Sequence, residues 1–138
     1  MRIQKLSIRI IGLVLVIALG VSPSAMVTNA AAISSLRYEN LKKVSAQLSI
    51  EGNIAQCIGY IFPSGNYDCS ITIALYRQSG SKWSKVIAWS KNSTGGASAI
   101  LTQTFTLTTN GNYKVVTTGK VNGESCRAES KVVSYQGQ

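Results

Sequence analysis

The chain contains no histidine, and that absence removes most of the enzyme classes open to a small protein. Without imidazole there is no ordinary general base near neutral pH, and neither a Ser-His nor a Cys-His nucleophile pair can be assembled. Acidic side chains are nearly as scarce: Glu39, Glu51, Asp68, Glu124 and Glu129 are all five of them. A two-carboxylate glycosidase would have to draw on this set, yet the turn order described below puts Glu51 at the opposite end of the domain from Asp68 and Glu124. Asp68 and Glu124 fall near each other, which solvated loop carboxylates do without any chemistry. Five dispersed acids make a poor calcium cage, and with no His and no C-x-x-C there is no zinc pattern. Gly95-Gly96 is followed by no helix whose N-terminus could hold a phosphate. No catalytic, cofactor-binding or metal residue is assigned, and the chain reads as a non-enzyme.

Proline is limited to Pro23 and Pro63, and a long apolar run occurs only near the N-terminus. Arg2, Lys5 and Arg9 accompany the apolar residues 10–21, and Asn29-Ala30-Ala31-Ala32 follows. A positive start, a short apolar core and an A-x-A site are what a signal peptidase reads, so cleavage is expected after Ala32, with Ala25 and Ala30 as the alternative sites. Gly12, Gly20, Ser22 and Pro23 interrupt the run short of the roughly 20 apolar residues that a spanning helix needs. No cysteine sits at the cut to carry a lipid, and no second apolar span or LPxTG-like sorting motif follows. The expected product is secreted, extracellular or associated with the cell wall, and does not span a membrane. The expected layout is signal peptide 1–32, N-terminal extension 33–43, a β-sandwich 44–135 and a tail 136–138.

About 106 residues remain after the leader, enough for one domain with one core. From Ile33 onward, 11 Lys and Arg face 5 acids, a net charge of about +6, which favours anionic polymers outside the cell. The cations are scattered, with only Lys42-Lys43 adjacent, and no arginine-aromatic interleaving of a nucleic-acid reader is present.

Apolar residues recur at period two: Ala46, Leu48, Ile50; Ala55, Cys57, Gly59, Ile61; Ile71, Ile73, Leu75. That is the pattern of half-buried strands. Turn residues separate them at Glu51-Gly52-Asn53, Pro63-Ser64-Gly65-Asn66, Ser79-Gly80-Ser81, Thr94-Gly95-Gly96, Asn110-Gly111-Asn112 and Asn122-Gly123-Glu124. Six breaks predict seven strands, at 44–51, 54–61, 70–77, 83–90, 99–108, 112–121 and 127–135. The predicted fold is all-β, a seven-strand antiparallel immunoglobulin-like sandwich. Tyr113, just after a turn, stands where such sandwiches place a tyrosine corner, although an ordinary half-buried tyrosine fits the same position. Exposed strand edges invite self-association, which outward Lys and Ser residues commonly oppose.

Arg37-Tyr38, Val44-Ser45-Ala46-Gln47-Leu48-Ser49-Ile50, Ala55-Gln56-Cys57-Ile58-Gly59, the spacing of Trp83, Val86 and Trp89-Ser90, and Gly111-x-Tyr113-x-Val115 together resemble small secreted immunoglobulin-like proteins of Gram-positive bacteria, a family without an established function. The resemblance covers core and turn positions of residues 37–135, so it implies the fold and no activity.

An exported chain with three cysteines can hold one disulfide. Alternating turns start the third and seventh strands at the same end, which points to Cys69 with Cys126 and leaves Cys57 as a buried thiol; a Cys57–Cys69 pair, the remaining Cys57–Cys126 pair and no bridge at all are the alternatives. The same alternation gathers the connections 62–69, 91–98 and 121–126 at one end, where a sandwich usually places recognition. Candidate ligand-binding residues there are Tyr60, Phe62, Asn66, Tyr67, Trp89, Asn92, Asn122 and Arg127, facing an anionic cell-wall polymer, a glycan or a surface protein. Core filling is the competing role for Tyr60, Trp83 and Trp89. The expected function is a secreted, non-enzymatic binding module at or near the cell envelope. The alternative is a bacteriocin-like effector acting on the membranes of competing cells, for which no amphipathic cationic helix is present.

Overall fold

Period-two runs bury one face of each strand, and two such faces need each other to leave water. The computed structural model describes residues 29–34, for their backbone, and 38–137. Among them are nine strands and no helix: β1 (Asn29–Ser34), β2 (Leu41–Glu51), β3 (Ile54–Pro63), β4 (Cys69–Ser79), β5 (Lys82–Ser93), β6 (Ala99–Thr106), β7 (Gly111–Val121), β8 (Glu124–Glu129) and β9 (Val133–Tyr135). They form two antiparallel sheets. One has the order β1-β2-β3-β6; the other has β5-β4-β7-β8, with β9 also pairing β7.

The core lies between them. Val44, Ala46 and Leu48 of β2, Ala55, Cys57 and Ile61 of β3, Ile73 and Leu75 of β4, and Val115 and Val121 of β7 have no exposed surface. The sheets pack tightly at Gly59, where a Cβ would stand 2.3 Å from Ile73 Cγ2 and 2.4 Å from Thr117 Oγ1. Only hydrogen fits there. The facing Thr117 is fully buried, and its hydroxyl has no hydrogen-bond partner among the described residues.

Nine strands replace the seven expected, for two local reasons. Residues 29–34, assigned to the leader and the extension, form the edge strand β1 against β2, with Asn29 opposite Ser49 and Ser34 opposite Val44. The expected strand 127–135 starts earlier and divides at Ser130. There the chain leaves the β7 ladder: the Ser130 amide donates to Val115 O (2.8 Å) and its hydroxyl accepts from Val115 N (2.9 Å), before pairing resumes at Val133 opposite Tyr113. A serine side chain thus replaces one rung of backbone pairing. The apolar part of the proposed leader lies outside the described residues.

Tyr113 is buried, and its hydroxyl donates to the carbonyl of Thr109 at 2.6 Å, four residues upstream. This is the tyrosine-corner contact, and it pins the connection that carries the chain from β6 to β7. No helix among the described residues is long and apolar enough to cross a membrane.

Candidate functional site

Two connections pass between the sheets at one end of the molecule, residues 64–68 from β3 to β4 and residues 94–98 from β5 to β6, and the tight β7–β8 hairpin lies beside them. Asn122 (φ 51°) and Gly123 (φ 83°) form that two-residue turn, both in the left-handed region that a type I′ hairpin requires. The loops are fastened to one another through the backbone. Gly96 N donates to Tyr67 O (3.0 Å), Asn122 N donates to Asp68 O (3.3 Å), and the Asp68 carboxylate accepts from Gly95 N (3.0 Å). Asp68 therefore joins all three: its own loop, the Gly95 turn through its side chain and the hairpin through its carbonyl.

Between them opens a cleft of about 470 Å³ lined by Asp68, Cys69, Ser70, Asn92, Ser93, Thr94, Lys120, Asn122 and Gly123. Its walls offer one carboxylate, one ammonium, two amides and three hydroxyls. That set can hydrogen-bond a polyhydroxylated or amide-bearing ligand and hold an anionic group at Lys120. It contains no nucleophile paired with a base. No group of three or more His, Cys, Asp or Glu suited to a metal ion occurs among the described residues.

Of the candidate residues, Asn92 and Asn122 line this cleft, and Asn66 packs beside the Gly95-Gly96 turn at its rim. Tyr67 contributes its carbonyl to the rim while its ring packs against the core. Trp89 points inward, opposite Ile73, and also packs against the core. Tyr60 and Phe62 stack on each other (centroids 4.6 Å apart), opposite Ser45 and Lys43 of β2, with Lys43 Nζ 5.5 Å from the Tyr60 ring. This stack belongs to the outer face of the β1-β2-β3-β6 sheet, away from the cleft residues. Arg127 lies on the outer face of the other sheet, ion-paired with Glu129, which also takes Lys114 at 2.9 Å. Hydrogen bonds from Lys114 and Arg127 hold the Glu129 carboxyl below its usual pKa. Trp83 lies against this group, with Lys114 Nζ 4.4 Å from its ring.

The cleft residues that sequence reasoning left out of its ligand set are Asp68, Cys69, Ser70, Ser93, Thr94, Lys120 and Gly123. Thr94 and Gly123 belong to turns already marked and the others flank those turns, so a window taking in each whole turn and its flanks would have found them. The carboxylates Asp68 and Glu124, weighed as a pair, serve different backbones: Asp68 holds Gly95, and Glu124 accepts from Glu39 N (3.1 Å) and Asn40 N (2.8 Å).

The expected bridge between Cys69 and Cys126 is not formed, and Cys57, Cys69 and Cys126 are all free and buried. The two cysteines do share an end and a face. However, Cys69 is opposite Val121 on one side of β7, and Cys126 is opposite Gly119 on the other. Two strand spacings, roughly 9.5 Å, exceed the roughly 7 Å that a disulfide spans between Cα atoms. Cys69 Sγ instead donates to Ala97 O at 3.7 Å. Burial pushes the Cys57 thiol up to about 12 and, with the Cys69 and Glu124 charges adding, Cys126 up to about 11. Burial and then the Asp68 charge raise Cys69 as well.

No protein-family model matches the chain, and no curated protein matches it. Among solved structures, Spo0M, a sporulation control protein from Bacillus subtilis, aligns with 11% identity and a TM-score of 0.37 over 82% of this chain and 51% of that one. The chain thus spans about half the length of Spo0M, and a likeness of this size carries no argument about activity. What places the chain is its own all-β pair of antiparallel sheets.

Proposed function

We propose that the chain is a secreted, non-enzymatic binding module of immunoglobulin-like architecture that acts at or near the cell envelope, with the three-loop end as its recognition face. One observation carries this reading: Asp68 fastens three connections around a cleft whose walls are amides, hydroxyls, a carboxylate and Lys120. Loops preorganised in this way lose little conformational entropy on binding, which is how rigid scaffolds present recognition. The net charge of about +6 beyond the leader favours an anionic wall polymer or glycan as ligand.

The test is retention of the secreted protein on purified cell wall. Retention should weaken strongly between 0.1 and 1 M salt, as the Debye length shrinks from about 10 to about 3 Å. Asn92→Ala with Lys120→Ala should weaken it roughly tenfold or more, whereas Lys42→Ala with Lys43→Ala should change it little. Undiminished retention by the cleft variant would remove the cleft as the recognition face. Absence of retention together with killing of neighbouring cells would replace the module by a bacteriocin-like effector.

A further inference from the structure

The A-x-A site and strand β1 coincide. Asn29 to Ala32 supply four of the six β1 residues, opposite Ser49 to Ala46 of β2. Cleavage after Ala32 would remove those four and leave Ile33 and Ser34, a two-residue stub opposite Ser45 and Val44. Two pairs are too short to hold a strand. We propose, resting on the leader reading above, that processing uncovers the outer edge of β2 and that a second copy of the chain pairs there, β2 against β2 in antiparallel register.

The sequence of β2 selects both the occupant and the register. A new neighbour must keep Val44, Ala46, Leu48 and Ile50 on the core face, so the register can change only in steps of two. Centring the two copies on Gln47 places Val44 opposite the second copy's Ile50 and Ala46 opposite its Leu48. On the outer face the same register places Lys43 opposite Glu51, twice by symmetry. Both charges lie near the ends of an uncharged stretch, residues 44–50. Opposite charges facing across strands are favourable and like charges are not, so β2 is complementary to itself when reversed. The result is an isologous dimer in which one sheet continues through both copies. The uncleaved chain covers the same edge with its own β1, which blocks pairing until the leader is removed.

The test expresses the full chain in a secreting host and examines the protein recovered from the medium. N-terminal sequencing reports the leader boundary, and light scattering across a dilution series reports the mass. A start at Ile33 with a dimeric mass is expected. Lys43→Glu and Glu51→Lys should each raise the dimer dissociation constant about tenfold or more, because each places like charges at both symmetric contacts; the double exchange should restore it to within about threefold. Both positions are on the surface side of β2, and matching circular dichroism spectra would show that the variants fold. A monomer starting at Ile33 overturns the inference while leaving the leader intact. A start upstream of Asn29 overturns the leader boundary and the inference with it. A dimer indifferent to all three charge variants overturns the β2 interface.

Discussion

At Gly59 and Thr117 two neighbours have opposite tolerances. A methyl at Gly59 meets Ile73 and Thr117 at 2.3 and 2.4 Å in the interior, so Gly59→Ala should cost on the order of 1–3 kcal/mol through overpacking. Thr117→Val keeps the shape and deletes a buried hydroxyl without a partner, so it should stabilise by about 1 kcal/mol. Urea denaturation of the two variants checks both signs; a destabilised Thr117→Val would mean that the hydroxyl has a partner after all. The buried thiols set a second expectation. Their pKa values, about 12 for Cys57 and about 11 for Cys126, stand above the 9.0 of a free thiol. The unfolded chain therefore releases protons at a lower pH than the folded one. The stability these thiols contribute is complete below pH 9 and declines as pH rises through 11 to 12. Melting temperature should fall across that window, and replacing Cys57 by Ala should flatten the fall. At neutral pH the folded protein should resist thiol reagents that label all three cysteines once it is unfolded.

At the level of elements, the fastening of the loops is open to direct measurement. Asp68→Ala removes the acceptor of the Gly95 amide, so hydrogen exchange at Gly95 should accelerate markedly, whereas Asp68→Asn keeps Oδ1 and should retain most of the protection. Equal protection in both variants would show that the loops are held by something else. The element scale also separates what was legible in the sequence from what was not. Hairpins such as Val121 to Glu124 were readable because their turn residues carry the required positive φ, and strand interiors because alternation follows the core. The gathering of three connections at one end followed from the same alternation. Sheet order did not. Alternation tells which way a strand runs, not how far apart two side chains stand, so Cys69 and Cys126 were rightly set at one end on either side of what is β7, and wrongly taken as close enough to bridge across it. Strand β1 was hidden for a different reason: Asn29-Ala30-Ala31-Ala32 carries no period-two alternation and matches a peptidase site, so nothing in it marks a strand. The division at Ser130 depends on one hydroxyl substituting for a backbone partner, which a period-two pattern does not encode. Within the candidate site, Asn92 and Asn122 were found because polar side chains at turns are conspicuous. For Trp89 both a ligand-facing and a core-filling role were open, because an aromatic near a loop can face either way, and it packs against the core.

For the whole molecule, each sheet is completed by a ladder between strands far apart in the chain, β3 with β6 in one and β4 with β7 in the other. Ile61 pairs with Ala99, and Cys69 pairs with Val121, so neither sheet can close until most of the chain is present. Loop closure on that scale must precede any reward from pairing, which places folding in the slow range of roughly milliseconds to seconds. Stopped-flow refolding should find it there, and a microsecond phase carrying the full amplitude would contradict this. For the secreted module proposed above, such delay would be useful during passage through a membrane channel. The half that emerges first would hold β2, β3 and β4 but not β6 and β7, which complete their ladders, and so would stay pliable until the last strands arrive.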